Sequence, residues 1–334
     1  MKRATIRDVA ARANVSVSTV SRVLNGRTET HMRPQTRDRV LQAIRDLSYA
    51  PVKAAQTLRR LRTKTLGILL PDITNVYFAL LARGVESVAF ESGYTTIICD
   101  SDHQSARENQ YLEMLRSEDV EGIVFVPAGT PDPEALDAVL RQGIRVVAAD
   151  RRIQGVPTVE IDNYRASFDL TRYVLDLGYR RVAYIAGPDT ATTSIDRLAG
   201  CQDALAAHGL VPSSVHTGDF TVESGAACAR HILQESDVDV IFAANDLMAF
   251  GVLGAAEELH VDVPNDLGVA GFDHVLQMPY PALMHADLTT IEVPVCELGR
   301  KAAALLLEGD GHSVRLDARL IVGGTCQDQS KGVR

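Results

Sequence analysis

No apolar run in the 334-residue chain approaches the roughly 20 residues that a bilayer core demands, so no membrane-spanning helix is expected. The opening MKRATIRDVA has no apolar stretch of the secretory type. Cysteine is scarce. Cys99, Cys201, Cys228, Cys296 and Cys326 make an odd number with no C-x-x-C pair, which argues against a disulfide framework or a cysteine zinc site and suits a cytoplasmic protein with reduced thiols. Each is expected to be a small buried apolar side chain. Catalytic signatures are missing too: no G-x-S-x-G, H-E-x-x-H, Walker loop or G-x-G-x-x-G occurs, and the nine histidines show no ligand spacing. Neither an enzyme nor a metal or cofactor site is expected.

What is present is unevenly distributed. The net charge of −9 divides into a head, residues 1–64, with 15 Lys and Arg against 4 Asp and Glu, and a remainder with 19 against 39. The head therefore carries +11 and the body −20. A strongly basic head on an acidic body points to a polyanion as partner of the head alone.

The head reads as three short helices. Thr5-Ile6-Arg7-Asp8 is a capping box, with Val9, Ala10 and Ala13 on one face of the helix it opens. After a tight turn, Ser16 can cap a second helix whose Val20 and Val23 face inward, and Asn25-Gly26 stops it. Pro34 suits the first turn of a third helix burying Val40, Leu41, Ile44 and Leu47. This is helix-turn-helix architecture. Val17, Ser18 and Arg22 project from the front of the second helix. There, small residues permit close approach to a major groove and an arginine can take guanine bidentately.

The stretch ATIRDVAARANVSVSTVSRVLNG resembles the DNA-binding head of the LacI/GalR repressor family nearly residue for residue. The resemblance implies that Val17, Ser18 and Arg22 read bases. It implies that Thr5, Ser16, Thr19, Ser21 and Asn25 touch phosphates or cap helices; local capping is the competing role for Ser16, Thr19 and Ser21. The segment YAPVKAAQTLRRLRT has room for about nine helical residues after Pro51, too few to persist alone in water. By the same resemblance it is a hinge helix that folds with its twin in the minor groove of the operator. Leu58 is then the residue that opens the central base step, Ala55 allows close helix approach, and Arg59 lies on phosphate or groove edge.

The body alternates short apolar runs (TLGILLP, TTIICDS, GIVFVP, RVVAAD, RVAYIAG, DVIFAAN, LGVAGF) with helical patterns, a βαβ rhythm that implies parallel sheets, two rather than one. In such sheets ligands sit beyond the carboxyl ends of the strands. Polar groups and aromatics collect there: Asp72, Asn75, Tyr77, Phe78, Asp150, Arg151, Arg197, Asp219, Phe220, Asn245, Asp246 and Asp273. Carboxylates, amides and guanidinium groups beside aromatic faces suit a sugar, whose hydroxyls donate and accept while its C–H faces stack. Asp246 is better read as capping the helix that follows it, and Asp72 serves a turn equally well. The body is similar to the periplasmic sugar-binding proteins that share a fold with the LacI family. That likeness implies effector contacts at Asn75, Tyr77, Phe78, Asp150, Arg151, Arg197, Phe220, Asn245 and Asp273.

The expected fold is therefore α/β: an all-α helix-turn-helix head, residues 1–48, a hinge helix and linker, 49–63, and a two-lobed periplasmic-binding-protein-like body of parallel sheets, 64–334. By resemblance, the N-lobe spans about 64–162 and 292–322, the C-lobe about 163–290 and 323–334. The expected function is a sequence-specific repressor, a homodimer on double-stranded DNA with a pseudo-palindromic operator, controlled by a small effector such as ribose acting as inducer. A corepressor such as a purine, or a sugar receptor without DNA function, are the alternatives. If the hinge folds only on DNA, amide exchange of residues 51–59 will slow markedly when operator DNA is added; equal protection with and without DNA contradicts a hinge of this kind.

Overall fold

A computed structural model describes residues 4–24, 32–47, 63–275 and 287–329. The chain divides into two compact units, Met1–Thr63 and Lys64–Arg334. Asn25 and the hinge residues Ala55, Leu58 and Arg59 lie outside the described residues.

The head contains α1 (Ile6–Ala13), α2 (Val17–Leu24) and α3 (Pro34–Asp46). The capping box forms: Thr5 accepts from the Asp8 amide while the Asp8 carboxylate accepts from the Thr5 backbone N–H at 2.7 Å. Asn14 closes α1 in the left-handed conformation, φ 52°, and its N–H and that of Val15 are taken by carbonyls of the last turn. Ser16 caps α2, accepting from the Thr19 amide at 3.2 Å. Pro34 opens α3. Val9, Ala10, Ala13, Val20, Val23, Val40 and Ala43 form the core of the head. Leu41, Ile44 and Leu47 are only half-buried, because a unit this small encloses little more than its centre.

The second unit begins with β1 (Thr65–Leu70), α4 (Val76–Glu91), β2 (Thr95–Asp100), α5 (Ser105–Ser117), β3 (Gly122–Phe125), α6 (Pro133–Arg141), β4 (Arg145–Ala149) and β5 (Thr158–Ile161). It continues with α7 (Asn163–Asp176), β6 (Val182–Ala186), α8 (Thr192–Ala207), β7 (Ser214–Thr217), α9 (Val222–Glu235), β8 (Val240–Ala243), α10 (Asp246–Glu258) and β9 (Gly268–Ala270). The last elements are β10 (Thr290–Glu292), α11 (Val295–Glu308), β11 (Val314–Leu316) and β12 (Arg319–Ile321).

Two parallel sheets result, in the orders β11-β5-β4-β3-β1-β2 and β7-β6-β8-β9. A third, antiparallel pair joins β10 to β12. The chain thus leaves the first sheet after β5, comes back through β10, contributes α11 and β11, and turns out again through β12. β1, β3, β6 and β8 are buried along their whole length, as expected of strands covered on both faces. β5, β7 and the three late strands are the elements that apolar runs did not reveal. They are three or four residues long and hold only one or two apolar residues each, too few to stand out as apolar runs.

All five cysteines are free thiols; Cys99, Cys201 and Cys326 are buried, whereas Cys228 and Cys296 are half-buried, short of the full burial expected. Burial pushes Cys99 up to about 11 and Cys201 to about 12. No helix among the described residues is long and apolar enough to cross a membrane.

Helices α4 and α11 cross in contact through two glycines. A Cβ at Gly84 would collide with the carbonyl oxygen of Cys296, and one at Gly299 with that of Leu81. The obstacle is backbone on both sides, so a side chain cannot simply rotate away. Gly84→Ala is expected to cost about 2 kcal/mol or more of unfolding free energy, since overpacking against rigid atoms falls at the upper end of its usual range. Urea unfolding of the variant measures it; wild-type stability would show that the two helices can separate freely.

Candidate functional site

The carboxyl ends of the two large sheets supply the loops and helix starts that surround one cavity, of about 340 Å³ including the part open to solvent. All nine residues expected to hold an effector line it, together with His103 and Thr193. From the first sheet come Asn75, Tyr77 and Phe78 at the start of α4, His103 beyond β2, and Asp150 and Arg151 beyond β4. From the second come Thr193 and Arg197 on α8, Phe220 beyond β7, Asn245 beyond β8 and Asp273 beyond β9.

Arg197 is buried. Its Nε donates to Asn163 Oδ1 at 2.8 Å, its Nη1 to the Ala244 carbonyl at 2.7 Å, and its Nη2 lies 3.0 Å from Asp273 Oδ1. The guanidinium carbon stands 3.8 Å from the centre of the Phe272 ring. Burial works against its charge, but Asp273 and Asp150 outweigh it and hold its pKa above the usual value. Burial in turn lifts Asp273 to about 7 despite Arg197.

Arg151 is also buried. It lies between the rings of Phe78 and Phe220, 5.7 and 5.8 Å from their centres, and its Nη1 donates to the carbonyls of Pro127 and Ala128. Its Nε is 3.8 Å from Asp150 Oδ2 and has no hydrogen-bond partner among the described residues. Tyr77 donates its hydroxyl to Asp150 Oδ1 at 2.5 Å, and burial followed by the Asp150 charge raises its pKa well above 10. Asn245 caps α10 by accepting from Met248 and donates to the Phe220 carbonyl at 3.1 Å, fixing that ring's loop. Asn75 caps α4 in the same way through the Tyr77 amide.

Several of these positions are conformationally costly. Asp150, Phe220, Asp273 and His103 all have positive φ, at 64°, 69°, 109° and 55°. Non-glycine residues held there are strained and persist only where surrounding structure compels them, a pattern that clusters at ligand clamps.

Three carboxylates among the candidates have other occupations. Asp72 and Asp219 accept from the Thr74 and Thr221 side chains and amides and build turns. Asp246 is not the cap of α10; Asn245 is, and Asp246 is the helix's first residue, buried and bonded to Thr290. His103, Thr193 and the arginine-positioning Asn163 were not expected. His103 lies three residues beyond β2, so the rule of searching strand ends reaches it. Thr193 and Asn163 are on helices, where nothing in the local pattern marks them.

At the rim of the cavity Arg152 joins the halves: its amide donates to Thr192 Oγ1 at 3.1 Å and its guanidinium pairs with Glu160 and Asp196.

In the head, Val17, Ser18 and Arg22 are exposed on α2, with Val17 42 % accessible despite being apolar. Ser16 bonds to the hydroxyls of both Ser18 and Thr19 while its Oγ accepts from the Thr19 amide at the start of the helix. Ser21, expected to touch phosphate or cap a helix, is 8 % accessible on α2.

A basic helix-turn-helix unit followed by two parallel α/β sheets enclosing a polar, aromatic-walled cavity defines a DNA-binding regulator with a ligand-binding type of body. Residues 5–52 match the model of the bacterial regulatory proteins of the lacI family, and residues 63–319 match the periplasmic binding proteins and sugar-binding domain of the LacI family. The chain belongs to the LacI family of DNA-binding transcriptional repressors with a sugar-binding domain, not to an enzyme family. It is 34 % identical to the ribose operon repressor of Halalkalibacterium halodurans over 96 % of each chain. It is 31 % identical to the HTH-type transcriptional repressor CytR of Escherichia coli, again over 96 % of each. Among solved structures, a LacI family transcriptional regulator from Enterococcus faecium with bound ribose shares 26 % identity and a TM-score of 0.71, covering 79 % of this chain and 99 % of that one.

Behind the cavity, Glu108 of α5 is buried, accepts from the Ala128 amide at 2.5 Å, and leaves Oε2 without a partner among the described residues. Burial lifts its pKa from 4.5 to about 7, opposed by Ala128 and Arg151. A carboxyl whose folded pKa is raised binds protons more tightly in the folded state. Its penalty is absent below pH 4.5, grows through the interval and is complete above 7. Glu108→Gln should therefore gain stability relative to wild type on going from pH 5 to pH 8, by about 2–3 kcal/mol. Urea unfolding at the two pH values checks this; a pH-independent difference contradicts it.

Proposed function

We propose that the protein binds a near-palindromic operator as a homodimer in the cytoplasm and releases it when a monosaccharide such as ribose occupies the cavity. The head of residues 1–48 reads the major groove through Val17, Ser18 and Arg22. The hinge of residues 49–63 inserts Leu58, supported by Ala55 and Arg59, and the body of residues 64–334 senses the effector. Thr5, Ser16, Thr19 and Asn25 serve the backbone contacts or caps.

The observation that carries the effector reading is the convergence of nine residues from two sheets on one cavity. Asp150 and Asp273 accept from hydroxyls, Arg151 and Arg197 donate, Asn75 and Asn245 orient, and Tyr77, Phe78 and Phe220 present ring faces. Two carboxylates against two guanidinium groups leave the site near neutral, which favours an uncharged polyol over a sugar phosphate. The unpartnered Arg151 Nε is a donor that a ring hydroxyl satisfies. The relative named as a ribose operon repressor and the family member solved with ribose support the same choice.

Coupling between effector and operator in such regulators is typically 1–3 kcal/mol, or about 5–150-fold in affinity. D-ribose is expected to weaken binding to the protein's own upstream DNA by a factor in that range, read by gel shift. Arg197→Ala should bring the response below about twofold while operator binding persists, because the head does not involve that residue. An operator affinity that rises with ligand would instead assign a corepressor, and no response to any monosaccharide would remove the induction claim.

A further inference from the structure

A buried carboxylate stands between the turn that carries Asp273 into the effector cavity and the strand that crosses between the two sheets. Asp246, at the first position of α10, is 2 % accessible and does not line the cavity. Its Oδ1 accepts from Thr290 Oγ1 at 2.6 Å, and Thr290 is the first residue of the crossing strand β10. Its backbone N–H donates to the Phe272 carbonyl at 2.8 Å. Burial and the neighbouring Asp273 charge lift its pKa to about 8, opposed by the Thr290 hydroxyl and by the amides of Val275 and His274. A Cβ at Gly271 would strike the same carboxylate, so the chain passes directly over it. One side group thus touches the start of β10 and both ends of the turn that carries Asp273.

That turn is not a relaxed one. Asp273 and His274 stand at φ 109° and 50°, and the Asp246 carboxylate accepts from the amides of His274 and Val275, the two residues that follow Asp273. The turn is also stitched to β10 along its backbone: Gly271 donates to Thr289, Asp273 to Ile291, and Val293 back to Asp273. Immediately after β10, Val293 and Pro294 lead into α11. That helix is locked through Gly84 and Gly299 to α4, whose first turn brings Asn75, Tyr77 and Phe78 to the opposite wall of the cavity.

We infer that Asp246 is a positioning residue that sets Asp273 for the effector and, through Thr290, passes a change at Asp273 to the crossing strand. This rests on the effector reading of the cavity, and the parts separate by substitution. Asp246→Asn keeps shape and the acceptor for Thr290 but offers the turn an NH2 group in place of an oxygen. Thr290→Val removes only the link to the strand. Thr290→Ser keeps it.

Each variant, as full-length protein, is taken through three measurements: D-ribose binding by calorimetry, operator affinity with and without ribose, and amide exchange of residues 271–275 and 289–293 without ligand. Asp246→Asn is expected to lower ribose affinity at least tenfold and to speed exchange in both segments together. Thr290→Val is expected to keep ribose affinity and unliganded operator affinity within about threefold, yet shrink the ribose effect on operator affinity below twofold; Thr290→Ser should behave as wild type. Wild-type coupling in Thr290→Val, or unchanged exchange and ribose binding in Asp246→Asn, overturns the inference. Should Asp246→Asn fail to fold, the valine and serine pair decides. Should wild type fail to bind ribose, the sugar reading falls while the exchange arm still judges the role of Asp246.

Discussion

Arg197 is a guanidinium group withdrawn from water, and much of the body is arranged to meet it. A buried charge without partners costs far more than any packing gain at the same place, so each of its nitrogens must find an acceptor. Asn163 and the Ala244 carbonyl accept from two of them, and the Asp273 carboxylate sets its charge 3.0 Å from the third. These acceptors come from the start of α7, the end of β8 and the turn after β9, which fixes three loops in mutual register. Asp273 answers Arg197 but is itself buried, so its turn must be held, and Asp246 holds it. The arrangement keeps the group rigid and leaves its plane against Phe272. Rigid first contacts backed by a second set of hydrogen bonds are what small-ligand recognition requires.

The same economy explains why the cavity lies between two sheets rather than within one. Parallel strands point their carboxyl ends the same way, so each sheet offers one row of loops, and facing two rows encloses a ligand from both sides. The chain can assemble this only by crossing between the sheets, and β10 and β12 make the return crossings side by side. Residues distant in sequence, such as Asp246 and Thr290, become neighbours at those crossings. A ligand that draws the two walls together acts on strands that are already bonded to its contacts. The Arg152 pairing with Asp196 at the rim adds a further tie between the walls.

Local sequence carried much of this. Helix starts were legible because a cap is a property of four consecutive residues: Thr5 with Asp8, Ser16 with Thr19, and Pro34 at a first turn all appear where the pattern places them. The strands rich in apolar residues were legible as apolar runs, and the cavity residues as polar groups beyond them. Legibility ended where partners are remote. Whether Asp246 caps its helix or braces a turn depends on Thr290, which is 44 positions away. Thr193 and Asn163 look like ordinary helix residues until the second sheet is folded.

Sequence alone determined the family, the order of basic head and acidic body, and the residue types able to grip a small polyol, because caps, hydrophobic periods and net charge are summed over neighbours in the chain. Only the tertiary structure decided which polar groups meet in one cavity, which carboxylates are consumed by turns, and which one links that cavity to the crossing strand. Those outcomes depend on burial and on distances between loops from different sheets, and no local pattern encodes either.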